Sequence, residues 1–88
     1  MAVVHIPSPM RELTGGESRV TVAGTTVGEI VSALEARFPG IRDRLLEDDR
    51  LQPGLNVFVD GETQRSGLRA KVTEASEVFF IQALGGGQ

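Results

Sequence analysis

Residues 26–40, with the sequence TVGEIVSALEARFPG, carry the clearest structural signal in the chain. Thr26 is followed three residues later by Glu29, which is a capping-box pattern. In this pattern the hydroxyl accepts a hydrogen bond from the Glu29 N–H, and the carboxylate reaches back to the N–H of the cap residue. Pro39 and Gly40 predict the end of the helix. Between these signals, apolar residues recur at spacings of three and four and predict one buried stripe: Val27, Ile30, Val31, Leu34 and Phe38.

Short runs of β-branched and apolar residues lie on both sides of this helix and predict strands. Gly15 and Gly16 separate the first two runs, which indicates a hairpin with a long loop. Asp60-Gly61 is the strongest tight-hairpin signal in the chain. Residues 41–46 predict one or two further helical turns. One helix packed across a mixed sheet of four to five strands is the economical arrangement, so we predict an α+β fold. The predicted strands are residues 2–7, 18–22, 55–59, 62–64 and 77–81.

The length and composition restrict the chain to one small domain. Its 88 residues include 11 glycines and no cysteine, which excludes disulfides, zinc–thiolate sites and a thiol nucleophile. We expect a folded domain over residues 1–84 and a flexible tail over residues 85–88. The reason is that three glycines and an uncharged glutamine follow the last predicted strand, and glycine has many accessible backbone states.

The charge pattern limits the classes of partner. The net charge is −3, and the basic residues alternate with acidic ones, so we expect no nucleic-acid partner. No run approaches the ~20 apolar residues of a membrane span, and the N-terminal segment lacks the features of a signal peptide. We therefore expect a cytoplasmic protein without a membrane partner.

Two of the predicted strands are apolar on both of their alternating faces. Residues 55–59 contain three valines or leucines and one phenylalanine, and residues 77–81 contain four consecutive apolar residues. A single helix covers only one face of a sheet. We therefore predict that a partner protein covers the second face.

Several segments together resemble the ubiquitin-like sulfur carriers of the MoaD/ThiS family. The resemblance implies a β-grasp fold, and its pattern is closest to the cysteine-biosynthesis (CysO-type) carriers, although molybdopterin and thiamine biosynthesis stay open. The segments span most of the chain in the family's order: residues 10–15 (MRELTG), 26–30 (TVGEI), 34–40 (LEARFPG), 55–62 (LNVFVDGE) and 76–81 (SEVFFI) with the glycine tail.

The resemblance implies a protein substrate and no catalysis by the chain itself. An adenylating enzyme would use ATP to activate a terminal glycine carboxylate, which would become a thiocarboxylate and donate sulfur to a synthase. The family's glycine pair falls on Gly86 and Gly87. Because Gln88 follows, we expect a metal-dependent protease to remove it before activation. With no cysteine in the chain, sulfur cannot be carried as a persulfide.

The family's contacts to the activating enzyme match four positions in this sequence: Pro7, Arg11, Val59 and Ile81. Strand alternation then places Val57 and Phe79, together with His5, on the same second face of the sheet. We interpret His5 as a strand-surface residue, because no second histidine exists to build a site.

The alternatives come from other function classes. A protein modifier would transfer the same activated glycine to lysine amines, and an inert interaction module would not use the tail. Catalysis by this chain is the function that agrees least with the sequence. We therefore predict no catalytic residue, no bound cofactor and no metal site. The carboxylates of residues 47–49 form one contiguous solvated run, and the chain lacks a set of nucleophile, histidine and acid.

Overall fold

A computed structural model describes residues 1–82 as one helix-and-sheet domain. The main sheet has five strands in the order β2-β1-β7-β5-β6. All neighbours are antiparallel except β1 and β7, which pair in parallel at the middle of the sheet. This mixed sheet confirms the predicted α+β class. Its strands are β1 (Ala2–His5), β2 (Arg19–Val22), β5 (Leu55–Val59), β6 (Glu62–Thr63) and β7 (Glu77–Gln82), and β3 (Leu46–Glu47) pairs separately with β4 (Arg50–Leu51).

The main helix α1 (Val27–Arg37) begins and ends where its sequence signals predict. Thr26 is the N-cap, and its hydroxyl accepts from the Glu29 N–H at 3.2 Å. The return half of the capping box is different from the prediction. The Glu29 carboxylate accepts from the N–H of Thr25 at 2.7 Å and from its hydroxyl at 2.9 Å, one residue before the cap. These bonds hold the pKa of Glu29 below its usual value.

The core lies between α1 and one face of the sheet. Four of the five residues of the predicted helical stripe are fully buried, and the fifth, Phe38, is half-buried under the Arg37 guanidinium, which lies 5.0 Å from its ring centre. The strands form the opposite wall of the core, and every second residue along each strand points toward the helix. The wall and helix residues with the lowest exposure are Val4, Val27, Ile30, Val31, Leu34, Val57 and Val78.

A second, short helix, α2 (Ile41–Leu45), follows Pro39 as predicted, but the sequence did not show what fixes its start. Gly40 is its N-cap, with a φ of 101°, and has no side chain to accept a hydrogen bond. The Glu35 carboxylate takes that role: it accepts from the Gly40 N–H at 3.1 Å and from the Arg42 N–H at 2.8 Å. Glu35 therefore joins the end of α1 to the beginning of α2.

The sequence analysis missed two 3₁₀ helices, Ser8–Thr14 and Gly67–Arg69, and the β3–β4 hairpin. The first of these helices occupies the loop between β1 and β2. The sequence analysis described residues 47–49 only as a solvated acidic run. In the structure, Asp48 and Asp49 form a tight turn between β3 and β4, with φ values of 54° and 61°. Aspartate tolerates this left-handed conformation better than most residues, which is why two acids can form the turn.

The predicted hairpin at Asp60-Gly61 is confirmed, with φ values of 52° and 87°. Asp60 also joins β5 to the start of β7. Its carboxylate accepts from the Glu77 N–H at 2.9 Å and from the hydroxyl of the buried Ser76 at 3.0 Å. The chain enters β7 through a turn closed by the Ser76 N–H and the Thr73 carbonyl, without a positive φ at Ala75.

Residues 83–88 lie outside the described part of the chain. The predicted domain boundary after residue 84 and the flexibility of residues 85–88 therefore stay predictions. Within residues 1–82, neither α1 nor any other helix has the length and apolar character needed to cross a membrane.

Replacing Thr26 with alanine tests the N-cap of α1. The substitution removes the acceptor of the Glu29 N–H, so we expect the free energy of unfolding to fall by about 1 kcal/mol in urea denaturation. Ser32→Ala is the matched control, because Ser32 is exposed on the same helix, and its effect should stay within about 0.5 kcal/mol. Equal losses in both variants would contradict the capping role.

Glu35→Gln tests the link between the two helices through its pH dependence. The N–H groups of Arg42 and Gly40 hold the pKa of Glu35 below its usual value. The carboxylate therefore stabilises the fold fully above the ordinary glutamate pKa, and this contribution is lost as the pH falls through the lowered value. We expect Glu35→Gln to be less stable than the parent protein at pH 7 and to approach it in acid.

The control for this experiment is Glu47→Gln, an exposed carboxylate that makes no side-chain hydrogen bond within residues 1–82. Thermal unfolding at several pH values measures both variants. A stability difference for Glu35→Gln that does not change between neutral and acidic pH would rule out a role for its ionised form.

Candidate functional site

The direction of β7 determines at which edge of the sheet the C-terminal segment begins. β7 is the middle strand of the sheet, and its last described residue, Gln82, pairs with Leu55. Because β7 runs parallel to β1, both strands end at the same edge of the sheet. The segment that follows Gln82 therefore starts at that edge. Gly86, Gly87 and Gln88 lie outside the described residues, so their proposed chemistry stays a prediction.

Pro7 and Arg11 lie at this same edge. Pro7 is half-buried directly before the 3₁₀ helix, and it follows the last parallel pair, His5 with Phe79, by two residues. Ile81 follows the same pair by two residues on β7. Arg11 is exposed, and its Nε donates to the Ile6 carbonyl at 3.1 Å, which fixes the guanidinium beside the end of β1. Three of the predicted contact residues thus gather where β7 ends.

The prediction that Val57 and Val59 belong to the second face is wrong. Val57 pairs with Phe80, and Val59 pairs with Val78, and all four side chains are buried in the core under the helices. Residues directly opposite each other in an antiparallel pair point to the same face of the sheet. The alternation within each strand was predicted correctly, but the register between β5 and β7 was not visible in the sequence. A register choice that differs by one residue exchanges the two faces.

The register instead places Phe58 on the second face, opposite Phe79. We name this surface the outer face; its central residues are His5, Phe58, Phe79 and Ile81. The two phenylalanines are half-buried, and Ile81 is 47% exposed, one of the two large hydrophobic side chains with most exposure in the described chain. Sequence reasoning missed Phe58, although its position between two core valines is a signal that it points away from the core.

His5 organises the charged side of the outer face. Its ring stacks on Phe79 with centres 3.8 Å apart and planes within 4°. Its Nε2 lies 2.8 Å from a carboxylate oxygen of Glu77, on the neighbouring strand. His5 thus lies on the strand surface, as predicted, and its ring packs face to face with the ring of Phe79 on the neighbouring strand. The outer face has an apolar end at Ile81 and a polar end at Glu77.

The outer face is lined by aromatic and aliphatic side chains, with the His5–Glu77 pair at its polar end. Within residues 1–82, no three His, Asp or Glu side chains converge as a metal site. In the same range, every buried side-chain nitrogen and oxygen has a hydrogen-bond partner. The single histidine is already engaged with Glu77 and Phe79. What the arrangement offers is a rigid apolar face next to the place where the C-terminal segment leaves the sheet.

Comparison with known proteins agrees with this geometry. The family model described as "ThiS family" matches residues 4–87. The sulfur carrier protein CysO of Mycobacterium tuberculosis is 34% identical over 89 residues, covering 96% of this chain and 96% of CysO. A chain of the crystal structure of the Amycolatopsis orientalis BexX/CysO complex is 37% identical, with a TM-score of 0.92 over 99% of this chain and 100% of that one. Small archaeal modifier protein 3 of Haloferax volcanii is 30% identical over 64 residues, or 70% of each chain.

These matches confirm the ubiquitin-like β-grasp fold and the resemblance on which the sequence analysis relied. The family model and the two CysO matches cover nearly the whole chain, including the five-stranded sheet and the helix that packs on it. The relatives named above are sulfur carriers and a small archaeal modifier protein. The chain therefore belongs to the ThiS family, as a relative of the CysO sulfur carriers.

Proposed function

We propose that this protein carries sulfur as a thiocarboxylate on Gly87. The observation that supports the proposal is the extent of the family match, which runs through the sheet and ends at Gly87. The chain has no cysteine, so a thiol or persulfide carrier would have no sulfur atom to use. The C-terminal carbonyl is the remaining place for the cargo.

The chemistry needs activation in two steps. A free α-carboxylate has a pKa of about 3.3 to 3.7 and is ionised at neutral pH, which makes it a poor electrophile. A carboxylate oxygen of Gly87 attacks the α-phosphorus of ATP, and pyrophosphate leaves. A sulfur donor then attacks the carbonyl carbon of the acyl-adenylate, and AMP leaves. ATP is bound by the activating enzyme, and the carrier supplies only the carboxylate.

The body of the protein has a docking role in this proposal. Pro7, Arg11 and Ile81 surround the edge where β7 ends, and the outer face continues from them through Phe79 and Phe58. An activating enzyme that binds this surface receives the C-terminal segment at a defined position. Three glycines near the end of the chain would let the segment enter a narrow active site, since glycine has no side chain to clash there.

The proposed pathway is cysteine biosynthesis, with a sulfur-accepting synthase as the second partner. The similarity to CysO over 96% of both chains favours this pathway over molybdopterin or thiamine biosynthesis. Because Gln88 follows Gly87, a carboxylate on Gly87 requires cleavage of the bond between them. We propose that a metal-dependent protease makes this cut.

Mass measurement of two forms of the protein tests the proposal. Protein that ends at Gly87 and protein that retains Gln88 are each incubated with ATP, the cognate activating enzyme and a sulfide source. We expect only the form ending at Gly87 to gain the mass that corresponds to replacement of one oxygen by sulfur. The form with Gln88 is the matched control, and prior treatment with the protease should make it reactive.

Two outcomes would argue against the proposal in different ways. Conversion of the form that retains Gln88 would show that trimming is not needed. The carrier function itself would be contradicted if the form ending at Gly87 did not react while a known carrier reacted in the same assay.

The outer face is tested by Ile81→Asp. Since Ile81 is 47% exposed, the substitution should leave the fold intact, but it places a charge in the proposed docking surface. We expect kcat/KM for adenylation to fall by about tenfold or more, as is typical for a central apolar contact. Thr21→Asp is the control, because Thr21 is exposed on β2, two strands away from β7. Similar losses of kcat/KM in both variants would show that the added negative charge, and not its position at Ile81, causes the effect.

A modifier function is the second candidate, and the similarity to small archaeal modifier protein 3 favours it. A lysine amine attacking the same acyl-adenylate would form an isopeptide bond with release of AMP. Tagged protein recovered from cell extract under denaturing conditions distinguishes the two. Isopeptide-linked adducts that disappear when Gly87 is replaced would support the modifier, and thiocarboxylate without adducts would support the carrier. An inert interaction module would keep its function when Gly87 is replaced.

A further inference from the structure

A groove lined by arginines lies on the helix side of the domain, away from the outer face. It has a volume of about 490 Å³ and runs between the β3–β4 hairpin and the 3₁₀ helix Gly67–Arg69. Its charged lining consists of Arg50, Arg65 and Arg69 with a single carboxylate, Asp49. In a chain whose net charge is −3, this concentration of positive charge is a local exception. We propose that this groove binds an acidic peptide segment of a partner protein.

The three guanidinium groups are free to bind. Within residues 1–82, Arg50, Arg65 and Arg69 make neither an ion pair nor a side-chain hydrogen bond. The one carboxylate of the groove, Asp49, is already paired with Arg42 at 2.9 Å. Arginine binds carboxylates through two parallel hydrogen bonds, which makes this set of donors suited to aspartate and glutamate side chains.

The groove is held in place by the core. Arg69 belongs to a 3₁₀ helix that packs on α1, and the Val27 N–H donates to the Ala70 carbonyl at 3.0 Å. Gly28 permits this close approach, because a Cβ at that position would lie 3.2 Å from the Leu68 carbonyl oxygen. The wall formed by the 3₁₀ helix is therefore held in position before any partner binds, which lowers the entropic cost of binding.

The apolar part of the groove favours a peptide over a small inorganic anion. Leu51 and Leu68 line it beside the arginines, and both are half-buried against the core. A phosphate ion would use the arginines and leave these side chains uncovered. A peptide with one apolar residue between acidic ones would cover the leucines and pair its carboxylates with the guanidinium groups.

The groove and the outer face can be occupied together. Leu51 and Leu68 pack on the core, which lies on the opposite side of the sheet from His5 and Phe79. This inference does not depend on the chemistry proposed for Gly87, and its test requires neither ATP nor an activating enzyme.

Titration with a defined probe tests the inference. A labelled peptide with aspartate and glutamate residues on both sides of one leucine is compared with the same peptide in which every acid is replaced by its amide. Binding is followed by fluorescence polarisation and by backbone NMR shifts of the full chain. We expect only the acidic peptide to bind, with shifts concentrated at residues 49–51 and 65–69, and binding to weaken as salt is raised.

Arg65→Gln combined with Arg69→Gln provides the mutational test. Loss of even one charged hydrogen bond corresponds to about tenfold in affinity, so we expect the double variant to bind the peptide at least that much more weakly. Both side chains are exposed, so its NMR spectrum should keep the dispersion of the folded protein. Arg19→Gln, an exposed arginine on β2, is the matched control and should bind as the parent protein does.

Four outcomes would overturn the inference. These are equal binding of the amide peptide, shifts concentrated outside the groove, an equal loss of affinity with Arg19→Gln, and binding of inorganic phosphate in the groove without binding of the acidic peptide.

Discussion

Three parallel residue pairs, Val3 with Glu77, Val4 with Val78 and His5 with Phe79, join the two ends of the described chain at the middle of the sheet. Such a pairing requires the chain between them to cross over the sheet, and α1 lies on that crossover. Closing so long a loop has an entropic cost that only burial offsets. Val4 and Val78, both fully buried, show where that burial is made.

The same pairing determines where function can take place. It fixes the direction of β7, and therefore the edge of the sheet at which the C-terminal segment begins. It also brings the 3₁₀ helix after β1 to that edge, which places Arg11 and Pro7 there. The proposed docking surface and the start of the C-terminal segment thus lie together because two strands share one direction.

The sheet separates two surfaces of different chemistry. On the outer face, aromatic and aliphatic side chains are only partly covered, the His5 ring stacks on Phe79, and its Nε2 lies within hydrogen-bond distance of the Glu77 carboxylate. On the helix side, the groove arginines, which have no side-chain partner within residues 1–82, lie at the margin of the core beside the half-buried Leu51 and Leu68. A carrier of the kind proposed could use such a division, since successive partners would then have distinct surfaces to contact.

The sequence alone determined the ends of α1 and the β5–β6 hairpin, because these signals depend on neighbouring residues. Thr26, Pro39 and Asp60-Gly61 set the bounds of α1 and of the β5–β6 hairpin, and the absence of cysteine restricted the chemistry. The tertiary structure decided which strands pair and in which register. It therefore moved Val57 and Val59 into the core and placed Phe58 on the outer face. Register and side-chain convergence join residues far apart in the chain, and alternation within one strand contains no information about its neighbour.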